Sequence, residues 1–190
     1  MGGLCVGKNC IISRIKKNEF DSFPPKTIGI KIDNLILHLK NSLIEIIFEQ
    51  YGGDEKNIFL IEYACGRGDA IILVYDITDK HSFDICKFYN DRINIHCTKN
   101  INKLLLGNKC DEKEKRVIKK EEGLLFSSEN HYKFKEISCL TGENVFEIFE
   151  EFIIDIYNDL EQRELDSQTN KTFRIKKSIH INDKKKENCC

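Results

Sequence analysis

Asn108-Lys109-Cys110-Asp111 follows directly on the apolar run Leu104-Leu105-Leu106-Gly107. A carboxylate three residues past an amide, at the mouth of a buried strand, can read a guanine. Asp111 can accept from the ring N1–H and the exocyclic amine together. Adenine carries an acceptor where guanine has N1–H, and the aspartate would then be left unpaired. Asn108 can tie neighbouring loops, and the Lys109 stem can lie over the base plane. The same tetrapeptide also suits a plain polar turn after a strand. Its meaning therefore depends on whether a phosphate site lies upstream.

One candidate does. Gly2-Gly3-Leu4-Cys5-Val6-Gly7-Lys8-Asn9 fits the pattern G-x-x-x-x-G-K-[ST] except at its last position. Small residues let backbone N–H groups turn inward around an anion, and the helix that follows adds its positive end. Lys8 would reach the outer phosphates. Asn9 stands where a hydroxyl would ligate Mg²⁺. Its amide oxygen can bind that ion, but the longer arm is harder to place in a tight octahedral shell. Weakened metal binding is expected. The competing reading is an N-terminal stretch with chance glycines, since no strand precedes the loop.

These residues need a scaffold. Cys10, Ile11, Ile12 and Ile15 mark a first helix, and Pro24-Pro25 a loop. Ile30 to Leu39 and Ser42 to Phe48 predict a hairpin around Lys40-Asn41. Gln50 to Gly68 is irregular in character. Ala70 to Tyr75 is a continuous apolar run ending at Asp76, as in a strand buried on both faces. Ser82 to Ile95 predicts a helix capped by Ser82, and Lys103 to Gly107 the next buried strand. Glu121 to Glu129 predicts a helix and Phe134 to Ser138 a short strand. Val145, Ile148, Phe149, Phe152, Ile156 and Leu160 fall on one helical face. Strands alternating with helices predict an α/β fold with a mostly parallel sheet, helices on both faces and ligands at the carboxyl ends of the strands.

The chain has 190 residues and a formal net charge of −1. That length suits one domain with a real core, and that balance gives no global field for nucleic acid. No apolar run is long enough to span a bilayer, and no secretory signal is evident. The nine cysteines are scattered, with no Cys-x-x-Cys pair. Neither a disulfide framework nor a zinc site is expected, and a reducing cytosolic compartment fits. The five histidines have no local partners that make a triad or metal site. Residues 171–190 hold seven Lys/Arg against Asp183 and Glu187 and predict a flexible basic tail.

The motifs also stand in a telling order. Thr27-Ile28-Gly29 and Gln50-Tyr51-Gly52-Gly53-Asp54-Glu55 lie between the phosphate loop and the tetrapeptide, and Glu136-Ile137-Ser138-Cys139-Leu140-Thr141-Gly142-Glu143-Asn144-Val145 follows it. This series resembles the Ras superfamily of small GTPases. Leu73-Val74-Tyr75-Asp76-Ile77-Thr78-Asp79, Ser82-Phe83 and the terminal Cys189-Cys190 resemble its Rab branch. The resemblance covers about residues 2–160 and the last two cysteines. It implies a P-loop GTPase fold over residues 1–160 and a basic tail over 161–190, with GTP/GDP and Mg²⁺ as cofactors. The first central strand is apparently absent, because Met1 sits immediately before Gly2; a start lying further upstream would explain this.

Carried over by position, the resemblance implies that Gly2, Gly3, Leu4, Cys5, Val6, Gly7, Lys8, Asn9 and Cys10 surround the phosphates. Phe20 would pack on the guanine, or serve as a core aromatic. Thr27 would contact the γ-phosphate and metal, or be an ordinary turn threonine. Gly53 would offer its amide to the γ-phosphate. Asn108, Lys109 and Asp111 would read the base, with Ser138, Cys139 and Leu140 closing its pocket. Release of the segments around Thr27 and Gly53 on loss of the γ-phosphate would be the switch.

The departures bear on catalysis. Asn9, Thr27 and Gln50 are the metal positions, and Gln50 lacks the charge the family places there. Asp54, or Gly53 in the alternative register, stands at the usual water-orienting glutamine. Ionised Asp54 cannot donate a hydrogen bond and would repel the γ-phosphate. Leu4 brings an apolar branch beside that phosphate, and Leu140 replaces a lysine over the base. Losing the water-positioning group costs ~10²–10⁴-fold if it acts like general-base assistance, so hydrolysis is expected to be very slow. No residue is a confident catalytic group.

Lys184-Lys185-Lys186 ahead of Cys189-Cys190 suits double prenylation, which anchors stably where one chain is marginal; free, oxidisable thiols are the alternative. N-myristoylation at Met1-Gly2 is not expected, since Val6 occupies that motif's Ser/Thr position. The implied partners are effectors, an exchange factor, a GTPase-activating protein, the prenylation machinery and a GDP-dissociation inhibitor, with no nucleic acid. The implied location is the cytoplasmic face of an intracellular membrane, in exchange with cytosol. Two functions compete: a Rab-like switch in vesicle traffic, and a pseudo-GTPase scaffold. A P-loop kinase or ATPase is a distant third, disfavoured by the guanine tetrapeptide.

Overall fold

A computed structural model of the protein describes residues 1–39, 42–52, 59–97 and 101–168. The elements are α1 (Lys8–Lys17), β1 (Ile30–Leu39), β2 (Ser42–Tyr51), α2 (Phe59–Arg67), β3 (Ala70–Asp76), α3 (Lys80–His96), β4 (Asn102–Asn108), a 3₁₀ turn (Lys113–Lys115), α4 (Lys120–Glu129), β5 (Lys133–Glu136) and α5 (Val145–Gln168).

β3, β4 and β5 form a parallel sheet in that order, with Ala70 opposite Asn102 and Leu104 opposite Lys133. Each parallel step is bridged by a helix, as the connection requires. The apolar runs of β3 and β4 are continuous because both faces are covered. Ile71, Leu73, Tyr75 and Leu105 pack against α3 and α4 through Phe83, Cys86 and Phe126. Val74, Leu104 and Leu106 pack on the other face against α1 and α5 through Ile11, Val145, Ile148 and Phe152. The expected α/β architecture with helices on both faces is what forms.

β1 and β2 make a separate antiparallel hairpin, with Ile30 opposite Tyr51 and Leu39 opposite Ser42. No described strand joins β2 to β3. Met1 and Gly2 lie in parallel against β3. The Met1 carbonyl accepts from Val74 N–H at 2.9 Å, its amine donates to Ile72 O at 2.5 Å, and Gly2 bridges Val74 in parallel.

Several expectations change. Residues 59–67 of the stretch expected to be irregular form α2. Its inward residues Ile61 and Cys65 pack into the core with α3, so burial of one face orders what the glycine-bearing sequence obscured. The cap of α3 is Asp79, whose side chain accepts from His81 N–H; Ser82 lies inside the helix and instead donates to the Asp79 and Asp76 carbonyls. α5 runs on to Gln168, beyond the expected helical face that ends at Leu160. Cys65 and Cys97 form a disulfide, with Cα atoms 4.9 Å apart, against the expectation of none. α2 packing on the end of α3 brings together two cysteines separated by 32 positions, a proximity that spacing alone does not reveal. Gly53, Asp54, residues 169–183, Lys184-Lys185-Lys186 and Cys189-Cys190 lie outside the described residues.

Candidate functional site

The carboxyl ends of β2 and β4, the N-terminus of α1 and the loop after β5 converge on one cleft of about 530 Å³. It is lined by Leu4 to Cys10, Phe20 to Thr27, Gln50, Asn108, Lys109, Asp111, Glu112, Cys139 and Leu140. Nearly every described candidate residue therefore meets at one place, where an open α/β sheet holds its ligands. Ser138 is fully buried behind the cleft, where its hydroxyl accepts from Thr141 N–H. Gly2 and Gly3 form the loop's entry rather than its lining.

The loop from Gly2 to Gly7 turns because two of its glycines do what other residues resist. Gly7 caps α1 at φ 97°, and a Cβ there would stand 2.2 Å from the Asn108 amide nitrogen. Gly2 lies at φ 149°, and a Cβ there would stand 2.2 Å from the Val74 carbonyl oxygen. Cys5, at φ 57°, adopts the left-handed region as well. Lys8 curls back so that Nζ donates to the Gly2 and Gly3 carbonyls at 2.8 and 2.5 Å. Burial lowers its pKa to about 8. An ammonium held among carbonyls at the positive end of a helix is a cation waiting for an anion.

Asn108 is the hinge of the site. Its Nδ2 donates to the Val6 carbonyl at 2.9 Å, and its Oδ1 accepts from Cys139 N–H at 3.2 Å. One buried amide thus ties the phosphate loop to the loop after β5, as its expected role requires. Lys109 takes a left-handed backbone at φ 67°. Its Nζ meets Asp76 Oδ2 at 2.5 Å while its stem lines the cleft. Asp76 was not among the candidates; its place at the end of β3, opposite Asn108, is the reason it reaches Lys109.

Asp111 carries the sharpest observation. Its Oδ1 is buried and has no hydrogen-bond partner. A buried carboxylate oxygen without a donor is costly, and this one lines the cleft. A ligand presenting in-plane N–H groups would satisfy it, and guanine presents two. Phe20, 37% exposed, and Leu140, 55% exposed, stand on the cleft's rim as apolar surfaces for a ring.

Arg14 is the residue that sequence reasoning missed. Its Nε and Nη2 donate to the Cys139 carbonyl at 3.0 and 2.7 Å, and Nη2 also reaches the Leu140 carbonyl at 2.9 Å. It clamps the loop after β5 to α1. The only signal was a basic residue late in a short helix, where arginine ordinarily caps its own carbonyls. Arg14 does that too, donating to Asn18 O at 2.9 Å. The thiols of Cys139 and Cys110 are pushed up by burial, to about 12 and about 11. They remain protonated at neutral pH and act as packing groups, not nucleophiles.

The metal positions do meet, but as a neutral cluster. Gln50 Nε2 donates to Asn9 Oδ1 at 2.7 Å and to Thr27 Oγ1 at 2.6 Å. Asn9 Nδ2 donates to the Pro25 carbonyl at 2.8 Å and to Thr27 Oγ1 at 3.2 Å. Each residue satisfies the others, and only Gln50 Oε1 is left buried and unpaired. No carboxylate belongs to the cluster. Mg²⁺ seeks hard, preferably charged oxygens in a rigid octahedron; amide N–H groups occupy Asn9 Oδ1 and Thr27 Oγ1, and Gln50 Oε1 alone is open. This donor set does not fit a protein-held Mg²⁺. No group of three or more His, Cys, Asp or Glu that can hold a metal occurs among the described residues.

Comparison with known proteins agrees with this geometry. A model of the Ras family matches residues 1–158. The chain is similar to the Ras-related protein RABA5e of Arabidopsis thaliana, 31% identical over 90% of this chain and 78% of that protein. It is 32% identical to the Ras-related protein Rab-8B of Dictyostelium discoideum over 100% of this chain and 90% of that protein. It is 29% identical to the GTP-binding protein ypt2 of Schizosaccharomyces pombe, over 100% and 93%. With strands and helices alternating around this cleft, the chain belongs to the Ras family, as a Rab-like member.

Proposed function

We propose that this protein is a Rab-like guanine-nucleotide-binding switch in intracellular vesicle traffic, selective for guanine but nearly devoid of intrinsic hydrolysis. The observation that carries the reading is the buried, unpartnered Asp111 Oδ1 in a cleft that Lys8 also lines. Base donors satisfy the first, and diphosphate oxygens satisfy the second. Between them Asn108 couples the base end to the phosphate end.

Phosphoryl transfer requires charge stabilisation and an oriented water. The Asn9–Thr27–Gln50 cluster offers neutral groups already engaged with one another. In sequence, Asp54 or Gly53 stands at the water-orienting position. Binding is therefore preserved where turnover is not. By family, the partners are effectors, an exchange factor, a GTPase-activating protein, the prenylation machinery and a GDP-dissociation inhibitor. Prenylation of Cys189 and Cys190 would hold the chain on the cytoplasmic face of an intracellular membrane.

The neutral cluster also favours a second reading, a pseudo-GTPase that holds one nucleotide as a constitutive scaffold. A single-turnover phosphate-release assay on GTP-loaded protein tests the first. We expect release at least ~10²-fold slower than a member retaining the water-orienting glutamine. Release at that member's rate would refute the reading.

A further inference from the structure

The disulfide between Cys65 and Cys97 joins the last turn of α2 to the carboxyl cap of α3. Among the described residues it stands beside five free thiols, those of Cys5, Cys10, Cys86, Cys110 and Cys139. A chain that relied on disulfides for its fold would pair more of its cysteines. A thiol-rich chain fits a reducing compartment, where the disulfides that do form are usually transient or redox-sensing.

The helix that this bond holds is a weak one. Nine residues are too few for a helix to stand alone in water, and Gly66 within it lowers its propensity further. Ile61, Ala64 and Cys65 bury the inner face, while Glu62, Tyr63, Gly66 and Arg67 are exposed. Two ion pairs to neighbours, Glu62 with His96 at 3.3 Å and Arg67 with Glu49 at 3.9 Å, lie at the surface, where such pairs contribute little. The two sulfurs also differ in access. Cys65 is buried, whereas Cys97 is only half-buried. A thiolate arriving from solvent therefore meets Cys97 first.

Position ties the bond to the nucleotide site. α2 is the first described element after Gly53, the residue expected to offer its amide to the γ-phosphate, and it leads through Gly68 into β3, which ends at Asp76. We propose, resting on the guanine-nucleotide reading, that the Cys65–Cys97 disulfide is a redox latch on the switch. Oxidised, it keeps α2 docked on α3 whichever nucleotide is bound. Reduced, it leaves α2 free to detach when the γ-phosphate contact is lost, so nucleotide state reaches this face only in the reduced protein. The step is thiol–disulfide exchange with a dithiol. Its thiolate attacks Cys97 Sγ, the S–S bond breaks, and Cys65 leaves as a thiolate that takes up a proton. The second thiol of the reductant then closes on the first and releases Cys97 as a thiol. The protein disulfide gains two electrons, and the dithiol becomes a cyclic disulfide. Exchange with an excess of a small-molecule disulfide resets the latch.

The test reads amide exchange of α2 in the full 190-residue chain, oxidised with oxidised glutathione or reduced with dithiothreitol, and loaded with GDP or a non-hydrolysable GTP analogue. We expect the oxidised protein to exchange alike at α2 with either nucleotide. After reduction, exchange at Ile61 to Cys65 should quicken at least roughly tenfold with GDP and stay slow with the GTP analogue. Cys97→Ser, a change at a half-buried position, should behave as the reduced protein does and ignore the reductant. Equal α2 exchange in the oxidised and reduced GDP-loaded protein, a Cys97→Ser variant that still responds to reductant, or a bond that persists in excess dithiol would each overturn the proposal. Loading is read separately, as nucleotide released on denaturation. An empty site overturns the nucleotide reading and the coupling with it, whereas a filled site with an unresponsive α2 overturns the latch alone.

Discussion

At the scale of single residues, the site is defined by two groups of opposite kind. Asp111 Oδ1 lacks a donor, and the Lys8 ammonium rests on carbonyls it can exchange for phosphate oxygens. Asp111→Ala should lower GDP affinity by ~10²–10⁴-fold, since two hydrogen bonds to a charged acceptor are worth about 1.5–3 kcal/mol each. The same change should leave the unliganded protein as stable or slightly more so, because an unpaired buried oxygen is removed. Calorimetric titration beside thermal unfolding separates the two effects. Lys8 makes a proton prediction. Its pKa is about 8 in the free site through burial, and an adjacent phosphate favours the charged form. Binding should therefore take up a proton near and above pH 8, and affinity should fall as pH rises beyond it. Titrations in buffers of differing ionisation enthalpy would show the uptake; identical heats would contradict it.

At the scale of elements, loops are held by single side chains reaching across from neighbours. Asn108 at the end of β4 binds the phosphate loop and the loop after β5, and Arg14 on α1 binds that second loop from the other side. Arg14→Ala should cost about 1–3 kcal/mol of stability, from carbonyls left without donors, and should weaken GDP binding because the Cys139–Leu140 wall loosens. Arg14→Lys should recover only part of this, since a point charge cannot reproduce the planar fork. Thermal unfolding and nucleotide titration of both variants check this. What was legible beforehand follows from the same distinction. Local chemistry was readable: the apolar runs of β3 and β4, the β1–β2 hairpin, and the phosphate and base loops that the structure gathers into one cleft. Long-range pairing was not. Arg14 meets Cys139 across 125 positions, and Cys65 meets Cys97 only because α2 docks on α3. The helix of residues 59–67 was hidden because its order comes from burial of Ile61 and Cys65, not from local propensity. Ser82 was misread as a cap because Asp79 three residues earlier had the same capping chemistry.

At the scale of the whole molecule, the residues that line the cleft rest on two different parts of the fold. The parallel sheet, α3 and α4 hold Asn108, Lys109 and Asp111 in a rigid frame, with Leu73, Tyr75 and Leu105 wholly buried beneath them. Gln50 instead stands on the β1–β2 hairpin, apart from that sheet, and joins Asn9 and Thr27 in an uncharged hydrogen-bond cluster. Such a molecule should recognise guanine nucleotides through protein groups alone, with little help from a metal. The most direct measurement is a titration of nucleotide-free protein with GDP and with ADP, each with Mg²⁺ and with a chelator in its place. The account predicts GDP binding at least ~10²-fold tighter than ADP, with a preference that survives the chelator. Equal affinity for the two nucleotides, or GDP binding that vanishes with the metal, would contradict it.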